Sequence, residues 1–477
     1  MRDAIVFDNS NHSISAVVVV GLGTFFLGWR LLRPKGRFNP PVSEEPIDLQ
    51  ASRVNVEHHE QLLCYQSGKL NFPKPQGRAP FVECGSFLPF SIEPQHYETN
   101  DSVGATPQPK IAMREFLEKH GKPVEVKKAK VKTVAIIYNA FSGAKVNVRD
   151  KIVSTLAKHS IEATIFETKH PMHAWDLAEE LAGGNYCVIA AAGGDGTLHQ
   201  VVNGLMSFSK ANKMRPPPFA ILPNGTGNDF AMNLGVSNLD QALHCLIHGD
   251  IVQIDCNLVS VDKETDVDIP KDQIRDRMRY SLASSAAGWV ANVNKKAGPL
   301  KEYIGQVAYS IMGVTELLFT GSAPSYTLLM EQHNGSQVVV KDLEMLLLFV
   351  SNGKYAGGKI AFTPASLLND GLLDVSYWQG IATLFEALKF IYQAKHGGCD
   401  HVYADSYHSY RAKSIVITVE PAGTVSAGQQ QSMREHMYQV DGELLGFKRK
   451  VQVEVVPKAL DVVVDFSKLM RRGPMIR

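Results

Sequence analysis

The sequence predicts an α/β domain wound around a parallel sheet, followed by a β-rich domain. Three observations predict it. Apolar strand-like runs alternate with helix-period segments between about residues 131 and 250, strand-like runs dominate after about Ile251, and glycine-rich loops follow three of the early strands. Thr133–Tyr138 (TVAIIY) reads as the first strand, and Ile152, Val153 and Leu156 mark a helix after it. Ala163–Phe166 reads as strand and Ala174–Leu181 as helix. Tyr186–Ala191 is strand again, and Leu198, Val201, Val202 and Leu205 then fall at i, i+3, i+4, i+7 on one helical face. Phe219–Leu222 is a further strand. Beyond Ile251–Val259 the strand signals are Ser325–Met330, Ser336–Val340, Glu344–Val350, Leu372–Tyr377, Ser414–Val419 and Val451–Val456. Helical patterns are few there, with Leu384–Ala394 the clearest.

At 477 residues, 44% hydrophobic and 20% charged, the chain has a globular composition and the length for two domains plus extra segments. A formal net charge of +1 points to no nucleic-acid partner. Cys64, Cys84, Cys187, Cys245, Cys256 and Cys399 lack C-x-x-C spacing, which fits reduced thiols better than a disulfide framework or a zinc site. The N-terminus differs. No Asp, Glu, Lys or Arg occurs from Asn9 to Trp29, Ile14–Trp29 is almost wholly apolar, and Arg30, Arg33, Lys35 and Arg37 follow at once. With Leu31 and Leu32 this approaches the roughly 17–25 apolar residues a bilayer requires, and the flanking cations place the rest of the chain on the cytosolic side. A mitochondrial targeting segment and a buried helix are the competing readings. The expected organisation is therefore an anchor in residues 1–35 (span about 13–32), a linker or irregular accessory segment over 36–130, an α/β domain over 131–250, and a β-rich domain over 251–477 whose last segment packs back on the first.

Ligands of parallel α/β sheets bind beyond the carboxyl ends of the strands. Three loops take that position: Asn139 to Lys145 (NAFSGAK), Gly193 to Thr197 (GGDGT) and Pro223 to Asp229 (PNGTGND). Glycines let backbone N–H groups approach a ligand, and the helix N-termini that follow favour anions. One such loop is weak evidence, whereas three on one edge describe a phosphate cradle. None is a P-loop or a G-x-G-x-x-G. Asp195 is the odd member, because a carboxylate among phosphate-binding amides needs a metal or a transferable proton. Phosphoryl transfer supplies both, with Mg²⁺ on the phosphates and a base at the attacking hydroxyl. The plain alternative is that Asp195 caps the helix beginning near Thr197.

GGDGTLHQVVNGL followed by PNGTGNDFA closely resembles the diacylglycerol-kinase catalytic domain, whose superfamily includes bacterial lipid kinases, sphingosine kinases and ceramide kinases. The resemblance runs from about Val131 to Val456. It implies a nucleotide-binding α/β domain of the NAD-kinase and phosphofructokinase type, a β-sandwich domain, and an active site between them. It implies ATP contacts from Asn139, Ser142, Gly143, Lys145, Thr168, Gly193, Gly194, Gly196, Thr197, Gly225 and Thr226. It also implies a magnesium-binding side chain at Asp370 in NDGLLD, and two candidate proton acceptors, Asp195 and Glu443, the latter in a D-G-E turn. Without the family each D-G pair is an ordinary hairpin turn. The chain departs from many relatives in lacking a proline after Asn139 and in carrying Gln200 in place of a glutamate.

The expected activity is ATP- and Mg²⁺-dependent phosphorylation of a membrane-lipid hydroxyl, by a membrane-associated enzyme on an endomembrane or mitochondrial membrane. Asp229 favours diacylglycerol over a sphingoid base, since sphingosine kinases usually carry alanine there. A sphingoid-base or ceramide kinase is the alternative. A catalytically dead membrane scaffold and an NAD-kinase-like soluble-metabolite kinase stand further off. The expected partners are a membrane lipid substrate and, for assembly, a homodimer, with no nucleic acid. His170, His199, His396 and His408 lack metal-ligand spacing and read as surface or packing residues.

Overall fold

The computed structural model describes residues 64–66, 69–71, 125–142, 148–225, 227–261, 275–304, 307–319, 325–358, 360–380, 384–396, 400–419, 436–447 and 449–471. The expected anchor (1–35) and most of segment 36–130 lie outside the described residues, as do Gly143, Lys145 and Thr226. No helix among the described residues is long and apolar enough to cross a membrane.

Three short strands come first, β1 (Cys64–Gln66), β2 (Lys69–Asn71) and β3 (Lys127–Lys128). The α/β domain then runs β4 (Thr133–Tyr138), α1 (Arg149–Lys158), β5 (Glu162–Glu167), α2 (His173–Leu181), β6 (Val188–Gly193), α3 (Asp195–Asn212), β7 (Phe219–Pro223), α4 (Asp229–Asn233) and α5 (Leu239–His248). Strands β5, β4, β6 and β7 lie side by side and parallel. Every residue of β6 and β7 is buried, as expected for strands covered on both faces. Ile136, Ile189, Phe219, Leu198, Val202 and Leu205 form the centre of this core. Gly204 serves helix packing: a Cβ there would fall 2.3 Å from the carbonyl oxygen of Trp175, so only glycine lets α2 and α3 meet at this distance.

The sheet is mixed, not wholly parallel. Strand β8 (Asp250–Val261) pairs antiparallel along most of β20 (Lys450–Val464), and Val462 of β20 lies parallel beside Phe219 of β7. This long ribbon runs from the α/β sheet into the second domain, interrupted by a bulge between Val456 and Leu460.

The second domain contains β9 (Met278–Ser281), β10 (Ser284–Gly288), α6 (Trp289–Ile304), α7 (Val307–Phe319), β11 (Ser325–Glu331), β12 (Gln337–Ser351), the hairpin β13 (Tyr355–Ala356) and β14 (Ile360–Ala361), β15 (Leu373–Gln379), α8 (Leu384–His396), β16 (Tyr407–Ala412), β17 (Ser414–Val419), β18 (His436–Val440) and β19 (Glu443–Phe447), and α9 (Phe466–Arg471) follows β20. One layer orders β19, β18, β10, β12, β15 and β16. The other orders β11, β17, β20, β8 and β9. Strand β12 belongs to both: Gln337–Val340, Leu343 and Glu344 pair with β11, and Leu347–Ser351 with β10 and β15. Asp342, with φ +51°, lies at the irregularity in the β11 pairing, between Val340 and Leu343. Leu328, Leu348, Val375, Ile417, Tyr438 and Val453 pack in the same core. Helices α6 and α7 correct the sequence reading, which expected few helical segments here.

Candidate active site

Tyr138 ends β4, and Asn139 extends its ladder by donating its N–H to the Ala192 carbonyl at 2.9 Å. The Asn139 side chain then works in two directions. Its Oδ1 accepts the Phe141 N–H at 3.0 Å, which turns the loop, and its Nδ2 donates to Thr197 Oγ1 at 2.9 Å. Ser142 Oγ donates to the Asn224 carbonyl at 3.2 Å, and Asn224 N–H donates to the Gly193 carbonyl at 2.9 Å. These bonds join all three loops. Within PNGTGND, Asn228 closes the turn on itself: Oδ1 accepts the Gly225 N–H at 3.0 Å and Nδ2 donates to the Gly225 carbonyl at 2.7 Å.

The glycines meet where these loops converge. A Cβ on Gly225 would fall 2.4 Å from Gly194 Cα, and one on Gly193 would fall 2.5 Å from Thr197 Oγ1. The result is a surface of bare backbone at the start of α3. Gly194 is the N-cap of that helix, and no side chain caps it. First-turn amides without a protein side chain, at the end of a buried strand, fit a phosphate group. Thr168 is buried at the end of β5, its N–H donating to the Tyr138 carbonyl at 2.9 Å beside the first loop.

Asp195 is the first residue of α3 and does not cap its own helix. Its Oδ1 instead accepts the Phe230 N–H, at 3.4 Å, at the start of α4. A Cβ on Gly227 would fall 2.7 Å from its Oδ2, so glycine there leaves the carboxylate room. Burial, and then the neighbouring Asp229 carboxylate, push the Asp195 carboxyl up to about 6, against the pull of the α4 amides. A carboxyl tuned near neutrality is suited to exchanging a proton. Asp229 itself accepts the Gly358 N–H, at 2.9 Å to Oδ2.

Glu443, the first residue of β19, arrives from the other domain. Its Oε1 lies 3.1 Å from where a Cβ on Gly196 would stand. The two candidate bases, 248 positions apart by their numbers, thus reach the same helical turn. Arg279 is buried close enough to Glu443 for their charges to interact; burial lowers the pKa of its guanidinium and Glu443 opposes that. Its guanidinium also lies 5.3 Å from the Trp175 ring centroid.

Asp370 has a different setting. Its side chain is wholly buried, Oδ1 accepts the Leu372 N–H at 3.0 Å, and Oδ2 forms an ion pair with Arg411 Nη1 at 3.1 Å. Arg411 Nε donates to Asp374 Oδ1 at 3.1 Å. Asp255 accepts the Gly371 and Lys458 N–H groups, each at 2.7 Å, so this segment ties β8, β15 and β20 together. The Asp370 side chain, to which the resemblance assigns magnesium, is thus enclosed beside the Arg411 guanidinium, and its Oδ2 accepts no hydrogen bond. No cluster of three His, Cys, Asp or Glu side chains suited to a metal occurs among the described residues.

Sequence reasoning left His199 as surface or packing and Asp441 as a turn residue. The structure buries His199, half-buries Asp441 and bonds them together, Nδ1 to Oδ2 at 3.1 Å. Only the joint appearance of GGDGTLH and DGE in one chain hinted at such a contact.

A two-domain fold with a glycine-lined loop cluster and two carboxylates at one helical turn is the arrangement a phosphotransferase needs, and the likeness to known proteins gives the class: a lipid kinase. Residues 133–259 match the family described as Diacylglycerol kinase catalytic domain, and residues 283–464 match the YegS C-terminal NAD kinase beta sandwich-like domain. A YegS-like lipid kinase of Shewanella frigidimarina is 27% identical over 260 residues, covering 52% of this chain and 73% of that protein. A diacylglycerol kinase of Staphylococcus aureus is 31% identical over 244 residues, covering 50% of this chain and 68% of that protein. A solved structure of a diacylglycerol-kinase-like protein from Bacillus anthracis str. Sterne superposes with a TM-score of 0.52 at 23% identity, covering 71% of this chain and 99% of that one, and this likeness shows the fold alone. The chain belongs to the diacylglycerol kinase catalytic-domain family of lipid kinases.

Proposed function

We propose that the chain transfers the γ-phosphoryl group of ATP to the free hydroxyl of diacylglycerol, giving phosphatidic acid at a membrane surface. One observation carries this reading: Glu443 reaches, from the other domain, the first turn of α3, which itself bears Asp195. ATP lies along the three loops, its phosphates against Gly193, Gly194, Gly225 and the α3 amides, with Asn139, Ser142 and Thr197 holding the loops in register. The lipid hydroxyl enters beside Gly196. One of the two carboxylates accepts its proton as oxygen attacks phosphorus and ADP leaves. Magnesium carried on the ATP phosphates supplies charge neutralisation when bound, and no step is assigned to an ion at Asp370. Membrane association is part of the proposal and rests on residues 13–32.

Asp229 supports diacylglycerol over a sphingoid base because the sphingosine kinases that the motif also resembles usually carry alanine at this position. The test is transfer from labelled ATP by the purified chain to diacylglycerol, monoacylglycerol, sphingosine, ceramide and phosphatidylglycerol. Strongest labelling of diacylglycerol is expected. Preferential labelling of sphingosine or ceramide overturns the substrate assignment, and labelling of none overturns the lipid-kinase activity.

A further inference from the structure

His199 lies one helical turn after Asp195 in α3, buried to 1% exposure. Its Nδ1 meets Oδ2 of Asp441, which is the first residue of the two-residue turn between β18 and β19. Asp441 has φ +50° and Gly442 φ +92°, the left-handed pair that a tight hairpin of this kind requires. The Asp441 carboxylate is gripped from the β9–β10 link as well. Its Oδ1 accepts Ser281 Oγ at 2.9 Å and the N–H groups of Ala283 and Ser284 at 3.0 and 3.1 Å, while Oδ2 accepts Leu282 N–H at 2.9 Å. On the far side of the turn, Asn294 Nδ2 of α6 donates to the Gly442 carbonyl at 2.5 Å. One turn further along α3, Asn203 forms a second rivet, exchanging hydrogen bonds with both the N–H and the carbonyl of Tyr280 in β9.

The turn is therefore secured within its own domain by these five bonds and by a sixth from the Asp441 N–H to the Ser284 carbonyl at 2.9 Å, and among the described residues the His199 bond is the one that connects it to the helix bearing Asp195. Glu443 follows two residues after Asp441, and its Oε1 has only 3.1 Å to the Cβ position of Gly196. We propose that His199 and Asp441 are positioning residues that register the Glu443 hairpin against the first turn of α3, so that both carboxylates face one hydroxyl. This rests on the catalytic reading above.

Two consequences follow from where the bonds are. Loss of His199 leaves the hairpin folded on the β9–β10 link and leaves α3 riveted through Asn203. What changes is the spacing between Glu443 and Asp195, and a misplacement of about 1 Å can cost about 10²-fold in turnover. ATP, held by loops that His199 does not touch, binds as before.

The experiment uses the full chain with His199→Ala and with His199→Asn, whose Nδ2 falls near the place of the imidazole Nδ1 and can donate to Asp441. Turnover, the KM for ATP, and hydrogen exchange over residues 440–447 are measured for each. For His199→Ala the expected result is kcat down about 10²-fold, KM for ATP within about twofold, and faster exchange in the turn, with at least tenfold of the loss recovered in His199→Asn. Turnover near wild type in His199→Ala overturns the proposal, and so does a loss borne by KM for ATP without recovery in His199→Asn. A wild-type chain that labels no lipid refutes the catalytic reading instead. The exchange arm then judges the clamp alone: faster exchange in His199→Ala upholds it and unchanged exchange refutes it.

Discussion

Asp195 shows how much one side chain's setting decides. Its carboxyl titrates near 6 in the fold because burial and Asp229 disfavour the charge. A folded value above the unfolded one means the fold favours the protonated form. That contribution is present below about pH 4 and is lost as pH rises through about 6. At pH 8 the ionised carboxylate thus costs stability, and Asp195→Asn is expected to stabilise the chain by about 2 kcal/mol there, and by less at pH 5, while lowering turnover about 10³-fold. Urea unfolding at both pH values checks this; equal stabilisation at both contradicts it. Asp195 and its glycines were legible in the sequence because the loop chemistry is local. The His199–Asp441 bond was not, since its partners stand 242 positions apart and each has an ordinary local reading.

At the scale of elements, two glycines of the cradle have different tasks. Gly225→Ala drives a Cβ to 2.4 Å from Gly194 Cα, a backbone contact with nowhere to yield, so ATP affinity is expected to fall at least about tenfold by calorimetry. Gly196→Ala meets only the end of the Glu443 side chain at 3.1 Å. It is expected to leave ATP affinity intact and lower kcat about tenfold by displacing that carboxylate. Equal effects of the two on ATP affinity would contradict the assignment. The strands of the α/β domain were readable because each is a short apolar run between polar loops. Helix α7 was not, because VAYSIMGVTELLF is apolar nearly all round and shows no helical face. Helix α6 carries Gly298 and Pro299 within it, which read as a break. Strand β12 reads as two segments for a related reason: it serves two sheets and changes partners midway.

At the scale of the whole molecule, the β8–β20 ribbon links the sheets of both domains, and the buried Asp370–Arg411–Asp374 group stands beside it. Burial holds both carboxyls above their ordinary range, while Arg411 pulls against it. Arg411→Ala removes the guanidinium from both buried carboxyls, leaving only the Lys354 ammonium acting on Asp374, and is expected to cost about 3–5 kcal/mol. Because protonation relieves the uncompensated charge, the loss is greater at pH 8 than at pH 5, as denaturant unfolding at the two pH values can verify. No difference between them would show that the pair is not the source. The resemblance implies a magnesium-binding side chain at Asp370, and the guanidinium beside it became visible only through the packing of β16 against β15.

The central claim is that Asp195 and Glu443 act together on one lipid hydroxyl. The most direct measurement is the rate of phosphate transfer to diacylglycerol by Asp195→Asn, Glu443→Gln and the double variant. Each single variant is expected to lose about 10³-fold, and the double no more than about tenfold beyond that, because groups that act as a unit are not additive. Turnover near wild type in either single variant, or losses that multiply fully in the double, would contradict it.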